Sequence, residues 1–490
     1  MKTIPEHGIE RAEVLARLRE FGSGDANYRD SRIWSLVYYL GEEHTSFLKE
    51  AYGLYFSENA LNPMAFKSLK LMETEIVQMS GRLLNGDEQI VGTLTSGGTE
   101  TCLLPVATYR DRARASRRLP FKPEMIAPRS IHVAWMKAAR YFGVKMVHAP
   151  LDENFCVDVA AVEKLINRNT ILIAASAPCY PFGAVDPIPA LGEVAMRHNL
   201  PLHVDACLGG FLLPFVERLG HPVTCFDFRV PGVTSIGADL HKYGFSAKGA
   251  SVLLYRNMEY LQHQFFVYTD SPTGIFASPA MLGTRPGGAV AAAWAALNAI
   301  GLDGYLDISR TIIDTTNRLI KGIESIDGLT VLGRPPMSVF AYSSNDRNLD
   351  IYAVGDQLEA RGWLVDRIQH PSALHCMVTP GHAGVFDDYL ADLREAVDIV
   401  RSNPGLAARG NAAMYGMVAH VPLRGLIKTQ VARMMADLYG PECKMPAPPG
   451  DAPQNSFLER YLLPAALKMF SRWSTRKKRK RNQAYAAGTI

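Results

Sequence analysis

Between residues 125 and 255, short apolar runs alternate with longer amphipathic stretches, an alternation that few folds accommodate. The runs at 125–127, 144–148, 171–176, 202–204, 233–236 and 250–255 have strand length, and segments 99–116, 132–142, 158–168 and 186–198 have helical periodicity. Strands joined through helices of that length require crossover connections, which produce a mainly parallel sheet covered on both faces. Ligands of such sheets sit beyond the C-terminal ends of the strands. Residues that close a strand or open the next helix are therefore the ones to read for function.

The flanks are organised differently. Residues 1–70 mix short amphipathic segments with aromatic residues such as Trp34, Tyr38 and Tyr39, and read as an arm packed on a larger body. Helical periodicity from Leu69 onward ends near residue 84, at Asn85-Gly86-Asp87. Downstream, an apolar helix at about 288–297 and a further helix reaching Ile323 precede a smaller α/β unit. Its expected strands are 329–333, 337–343 and 373–379, with helices at 349–361, 385–401 and within 411–440. The expected division is an arm at 1–70, a large domain at 71–325, a small domain at 326–440 and an extension at 441–490 that follows the breaker run Pro446 to Gly450.

Composition limits the function classes. A chain that is 48% hydrophobic and 20% charged is globular rather than disordered. Seven scattered cysteines make neither a disulfide framework nor a paired metal knuckle, so a reducing compartment and no metal site are expected. The N-terminus lacks the apolar core of a signal peptide, and no stretch has 18 uninterrupted apolar residues. A soluble, cytoplasmic protein without a transmembrane segment is the expectation, with peripheral membrane contact left open. Arg472, Arg476, Lys477, Lys478, Arg479, Lys480 and Arg481 account for the net charge of +4; without them 45 basic residues face 48 acidic ones. The positive balance thus belongs to a tail, which reads equally as a solubilising end or as a contact for anionic partners, and no nucleic-acid partner is expected.

Three motifs stand where such a sheet would bind a ligand. Thr95-Ser96-Gly97-Gly98-Thr99-Glu100 precedes a long helix, so its glycines and the first-turn amides can cradle a phosphate, although a plain helix cap is the alternative. His203-Val204-Asp205-Ala206 closes an apolar run and leaves a carboxylate at a strand end, either serving a bound group or structurally paired. Lys242, between His241 and Tyr243 and followed by Gly244, lies just past a strand, where lowered solvation would depress its pKa and leave a neutral amine able to form a Schiff base; an ordinary surface lysine is the alternative. Together these meet the needs of pyridoxal 5'-phosphate: a phosphate cradle, an acid facing the pyridine nitrogen and a lysine for its aldehyde. His132 adds a flat partner for the ring.

At these residues the chain resembles the fold-type I pyridoxal-phosphate enzymes, in the branch of group II amino-acid decarboxylases and sphingosine-1-phosphate lyases, with the lyases most similar. Thr95 to Glu100, His203 to Phe211, His241 to Gly244, Lys248-Gly249 and Gly283 to Gly287 carry the resemblance, which spans roughly residues 30–440. It implies an α/β fold with a large mainly parallel-sheet domain and a small C-terminal α/β domain. It implies retro-aldol cleavage of the C2–C3 bond of a phosphorylated sphingoid base to a long-chain aldehyde and phosphoethanolamine; an amino-acid decarboxylase is the alternative. By resemblance, Lys242 is the Schiff-base lysine, Asp205 the pyridine partner and His132 the stacking residue. Gly97, Gly98, Thr99, Ser235 and His241 hold the cofactor phosphate, and His203 lies near the ring's phenolic oxygen. Tyr38, His132 and Lys248 are substrate-phosphate or catalytic contacts, with Tyr180 and Asn59 as further candidates. A homodimer with shared active sites is implied, Gly283 and Thr284 reaching into the partner's cofactor site. Phe182 and Thr284 depart from the histidine and serine usual in eukaryotic lyases, and Phe182 is expected to alter the pocket wall.

Overall fold

The computed structural model describes residues 3–116, 122–420 and 424–443. Its main feature is a seven-stranded sheet of β1 (Val91–Thr95), β2 (Glu124–Pro128), β3 (Lys145–Ala149), β4 (Thr170–Ser176), β5 (Leu202–Asp205), β6 (Val233–Ala238) and β7 (Ser251–Tyr255), in the order β1-β7-β6-β5-β4-β2-β3. Neighbours from β6 through β3 pair in parallel, and only β7 runs against its two neighbours. The expected mainly parallel sheet is therefore present. Its central strands are buried along their whole length, as continuous apolar runs covered by helices require.

Register places the site. Ser176 of β4 pairs with Asp205 of β5, and Asp205 pairs with Gly237 of β6, so these strands end together at one edge of the sheet. At the same edge β1 hands over to the helix Gly98–Ser116, whose buried face packs on the sheet through Leu103, Val106 and Tyr109 in a cluster with Trp135, Ile171 and Leu253. The edge is thus held rigidly from behind.

Elements that escaped sequence reasoning in this region include β1 itself, the short helix Leu213–Arg218, and a hairpin of β8 (Phe266–Ser271) and β9 (Gly274–Ser278) whose side chains are mostly exposed. A smaller α/β region carries a second sheet of β10 (Leu329–Val331), β11 (Val339–Ser344), β12 (Asp366–Ile368) and β13 (Ala373–Met377), ordered β10-β11-β13-β12.

Among the described residues one helix, Gly287–Glu324, is long and apolar enough by length and composition to cross a membrane. It is interrupted at Gly301, where φ is 62°, and its Ala292, Ala295 and Ala296 are packed in a cluster with Leu48. Two compact units divide the chain: Tyr28–Ser343 with His375–Leu390, and a second made of the residues up to Asn27, Ser344–Leu374 and the residues from Ala391 on. The basic run at 472–481 and most of the expected extension lie outside the described residues.

Candidate active site

At the C-terminal edge of the large sheet lies a cavity of about 380 Å³ within the larger unit. Tyr38, Gly98, Thr99, His132, Asp205, His241, Lys242 and Lys248, all selected from sequence, line it, as does Tyr180. Lys242 and Asp205, 37 positions apart in sequence, therefore face one space.

The carboxylate of Asp205 is 6% exposed and closely held. Trp135 donates its indole N–H to Oδ2 at 2.9 Å, and the backbone N–H of Cys207 donates to Oδ1 at 3.2 Å. Burial alone would raise its pKa, but hydrogen bonding, led by the Trp135 indole, outweighs it and keeps the carboxyl below its usual range. Asp205 is thus an ionised carboxylate in a dry setting. His132 is the opposite case: burial of its ring, in spite of Asp205, lowers its pKa and favours the neutral imidazole.

The glycine turn is shaped by what stands against it. Gly97 has a φ of +146°, and a Cβ on Gly98 would lie 2.6 Å from Asp239 Oδ2, so a side chain at Gly98 would collide with a buried carboxylate. The His241 ring presses on the turn from the other side, its Cε1 3.3 Å from where a Gly97 Cβ would stand. Gly98 opens the helix, whose first amides have no partners within the helix, and Gly98 and Thr99 line the cavity. His241 Nδ1 is buried with no hydrogen-bond partner among the described residues. A bare helix N-terminus beside an unsatisfied histidine fits the phosphate of pyridoxal phosphate, while Lys242 and Asp205 fit its aldehyde and its ring nitrogen.

One expectation about Lys242 is overturned. Burial does oppose its charge, but the Asp239 carboxylate, 2.9 Å from Nζ, prevails and holds the ammonium well above the ordinary lysine range. Asp239 stands at the end of β6, one turn before Lys242, and sequence reasoning passed over it. It also missed Trp135, Cys102 and Cys207. A carboxylate three residues before a lysine in a turn was the available signal for Asp239; nothing in the sequence links Trp135 to Asp205.

Lys248 lies at the cavity's mouth. Its Nζ donates to the carbonyl oxygens of Leu36 at 3.1 Å and His241 at 3.2 Å, and stands 5.1 Å from the centre of the Tyr38 ring. Burial of the ammonium and the like charge of Lys242 lower its pKa to about 8. The Tyr38 hydroxyl donates to Met377 Sδ at 3.4 Å, and its ring meets Tyr243 edge-on.

Other selected residues are placed elsewhere. His203 and Ser235 do not line the cavity: they are buried one layer beneath it, bonded to each other at 2.8 Å, and Ser235 also accepts from the Tyr109 hydroxyl at 2.7 Å. Their strand positions point them at the helix Gly98–Ser116 rather than into open space, and burial drops His203 to about 4. Gly97 forms the turn without lining the cavity, and Gly283 and Thr284 are exposed outside it. Asn59 bridges to Pro286 and caps its own turn through Leu61. Phe182 is no part of the cavity wall; it is buried against Phe155.

Comparison with known proteins agrees with this arrangement. A family model described as the pyridoxal-dependent decarboxylase conserved domain matches residues 41–331. The rice sphingosine-1-phosphate lyase is 40% identical over 88% of this chain and 81% of its own length. The chain belongs to the sphingosine-1-phosphate lyase family. A rat lyase is 41% identical over 90% of this chain and 77% of its own. The solved structure of a Burkholderia pseudomallei sphingosine-1-phosphate lyase, 39% identical, superposes with a TM-score of 0.79 over 86% of this chain and 98% of that one. A Lactobacillus brevis glutamate decarboxylase, 23% identical with a TM-score of 0.72 over 81% of this chain and 94% of its own, shares the fold.

Proposed function

We propose that this chain is a pyridoxal-phosphate-dependent aldehyde lyase that cleaves the C2–C3 bond of phosphorylated sphingoid bases, giving a long-chain aldehyde and phosphoethanolamine. The shared cavity carries this reading: Lys242 and the ionised Asp205 face one space that also holds Lys248. Pyridoxal phosphate, when bound, supplies an aldehyde for an amine to join and a ring that accepts the electron pair of the broken bond. Lys242 provides that amine and afterwards carries protons. Asp205 holds negative charge toward the ring nitrogen, and Trp135 keeps it ionised. His132 packs on the ring, while Gly97, Gly98, Thr99 and His241 hold the cofactor phosphate, with Ser235 and His203 bracing the floor beneath. Lys248 and Tyr38 bind the substrate phosphate, a task for a cation and a hydroxyl at the mouth.

The enzyme is further read as a homodimer in which Gly283 and Thr284 enter the partner's cofactor site. Their exposure outside their own cavity supports this, as do the exposed apolar residues Phe266, Val267, Ile275 and Leu282 on the adjoining hairpin and loop.

The test is product analysis. Cofactor-loaded protein given sphingosine 1-phosphate should release aldehyde and phosphoethanolamine in equal amounts. Absence of both, with carbon dioxide released from an amino acid instead, would establish a decarboxylase and overturn the proposal.

A further inference from the structure

Asp239 stands against both the lysine and the glycine turn of the proposed cofactor cradle. Its side chain is 1% exposed, and Oδ1 accepts from the Ser251 hydroxyl at 2.6 Å, which fixes its orientation. Oδ2 stands 2.9 Å from Lys242 Nζ and 3.8 Å from His241 Nε2, and it fills the space into which a Gly98 side chain would project. The lysine, itself partly exposed, is thereby tied to a fixed, buried carboxylate at the strand edge.

We propose that Asp239 is a positioning residue that locks Lys242 as a fixed, charged amine while the cavity holds no cofactor, so that loading is gated by release of this ion pair. The inference rests on Lys242 being the lysine that takes the cofactor's aldehyde. An ammonium has no lone pair with which to attack a carbonyl carbon. To react, Nζ gives one proton to solvent; it then forms its bond to the carbonyl carbon, and its two remaining hydrogens leave with the carbonyl oxygen as water. The ion pair opposes only the first of these steps.

The surroundings leave Asp239 as the controlling charge. Cys207 and Tyr38 face Lys242 as neutral groups, their pKa values raised, by the Cys102 hydrogen bond and burial for Cys207 and by burial for Tyr38. Tyr243 and Cys102 are likewise neutral. His132 and His241 are held neutral by burial, Lys248 is the nearby cation, and Asp205 is engaged by Trp135.

The experiment follows capture of pyridoxal phosphate and of phosphate-free pyridoxal by full-length protein freed of cofactor, as growth of the lysine-linked absorbance and as borohydride-fixed adduct. In the unsubstituted protein the capture rate should rise about tenfold per pH unit from about pH 7 to about pH 9, since one unit changes the neutral-amine fraction tenfold. A rate already level below about pH 8 would overturn the proposal without any variant. Asp239→Asn, which keeps the size of the side chain, should capture both aldehydes at least about tenfold faster at about pH 7.5, with the pH midpoint at least about one unit lower. An unshifted midpoint refutes the lock. So does a gain confined to the phosphorylated aldehyde, because Asp239 would then act by repelling phosphate at the glycine turn. Lys242→Ala separates the underlying assignment: a borohydride-fixed lysine adduct at the unsubstituted level in that variant removes Lys242 from its role, whatever Asp239→Asn does.

Discussion

Replacing Lys248 with glutamine should separate recognition of the substrate's phosphate from bond cleavage. Its ammonium is held by two carbonyl oxygens at the cavity mouth and is lowered to about 8 by burial and by Lys242. With that value, about nine-tenths of the free enzyme carries the charge at pH 7 and about one-tenth at pH 9. A hydrogen bond to a charged group contributes about 1.5–3 kcal/mol. Lys248→Gln should therefore lower kcat/KM for the phosphorylated base by about 10- to 150-fold and leave a dephosphorylated base within about twofold of its former value. Because the cation is lost as pH rises, the unsubstituted enzyme should lose kcat/KM about tenfold per unit above about pH 8, a limb that belongs to the free enzyme. Lys248→Arg should extend activity to higher pH, and Lys248→Gln should lack the limb. Aldehyde release measured from about pH 6 to pH 10 with both substrates decides the matter. A limb near pH 8 that survives in the glutamine variant, or equal losses for both substrates, would refute the assignment of Lys248 to the phosphate.

Other outcomes follow from the same geometry. Asp205→Ala should reduce turnover by several orders of magnitude while the protein still forms its lysine-linked absorbance, and unchanged turnover would remove Asp205 as the ring's charge partner. Gly98→Val, which drives a side chain into Asp239, should weaken cofactor affinity by at least about tenfold in equilibrium titration, because a contact under 3 Å with a buried carboxylate forces the turn to move. Acid should destabilise the fold before carboxylates titrate: His203 and His382, both lowered by burial to about 4, stay neutral in the fold but gain protons in the unfolded chain below about 6.5. Asp186, raised to about 6 by burial, titrates in the opposite sense, so these three groups together leave a net excess of about one proton on the unfolded chain, a stability loss of about 1.4 kcal/mol per pH unit as pH falls from about 6 to 4.5. Calorimetric melting that stays flat across that window would contradict it.

The sequence made the large sheet readable because β2 and β4 to β7 are buried along their length and each is built around a short apolar run. β1 escaped because Val91-Gly92-Thr93-Leu94-Thr95 looks like a loop; Gly92 is there because a Cβ would lie 2.3 Å from the Leu253 carbonyl oxygen. The β8–β9 hairpin escaped for the converse reason, since its apolar residues face outward and obey no inside-outside alternation. In the site, residues that act by type and position were visible: a lysine past a strand, an aspartate at a strand end, glycines before a helix. What stayed hidden were pairings across the fold. Lys242 is partly shielded, but the expected consequence for its charge is inverted, because Asp239 curls back within the same turn to face it.

The antiparallel strand β7 gives the cavity its scale. The chain leaves β6 at Ala238, makes a single excursion across the edge of the sheet, and returns into β7 at Ser251, directly hydrogen-bonded to the strand it left. Lys242 and Lys248 both ride on that excursion, so under the roles proposed above the span from the bond that breaks to the substrate phosphate would be set by one short connection anchored at both ends. It would then work as a ruler, with the interval between the two lysines fixed by the sheet edge rather than by loops elsewhere.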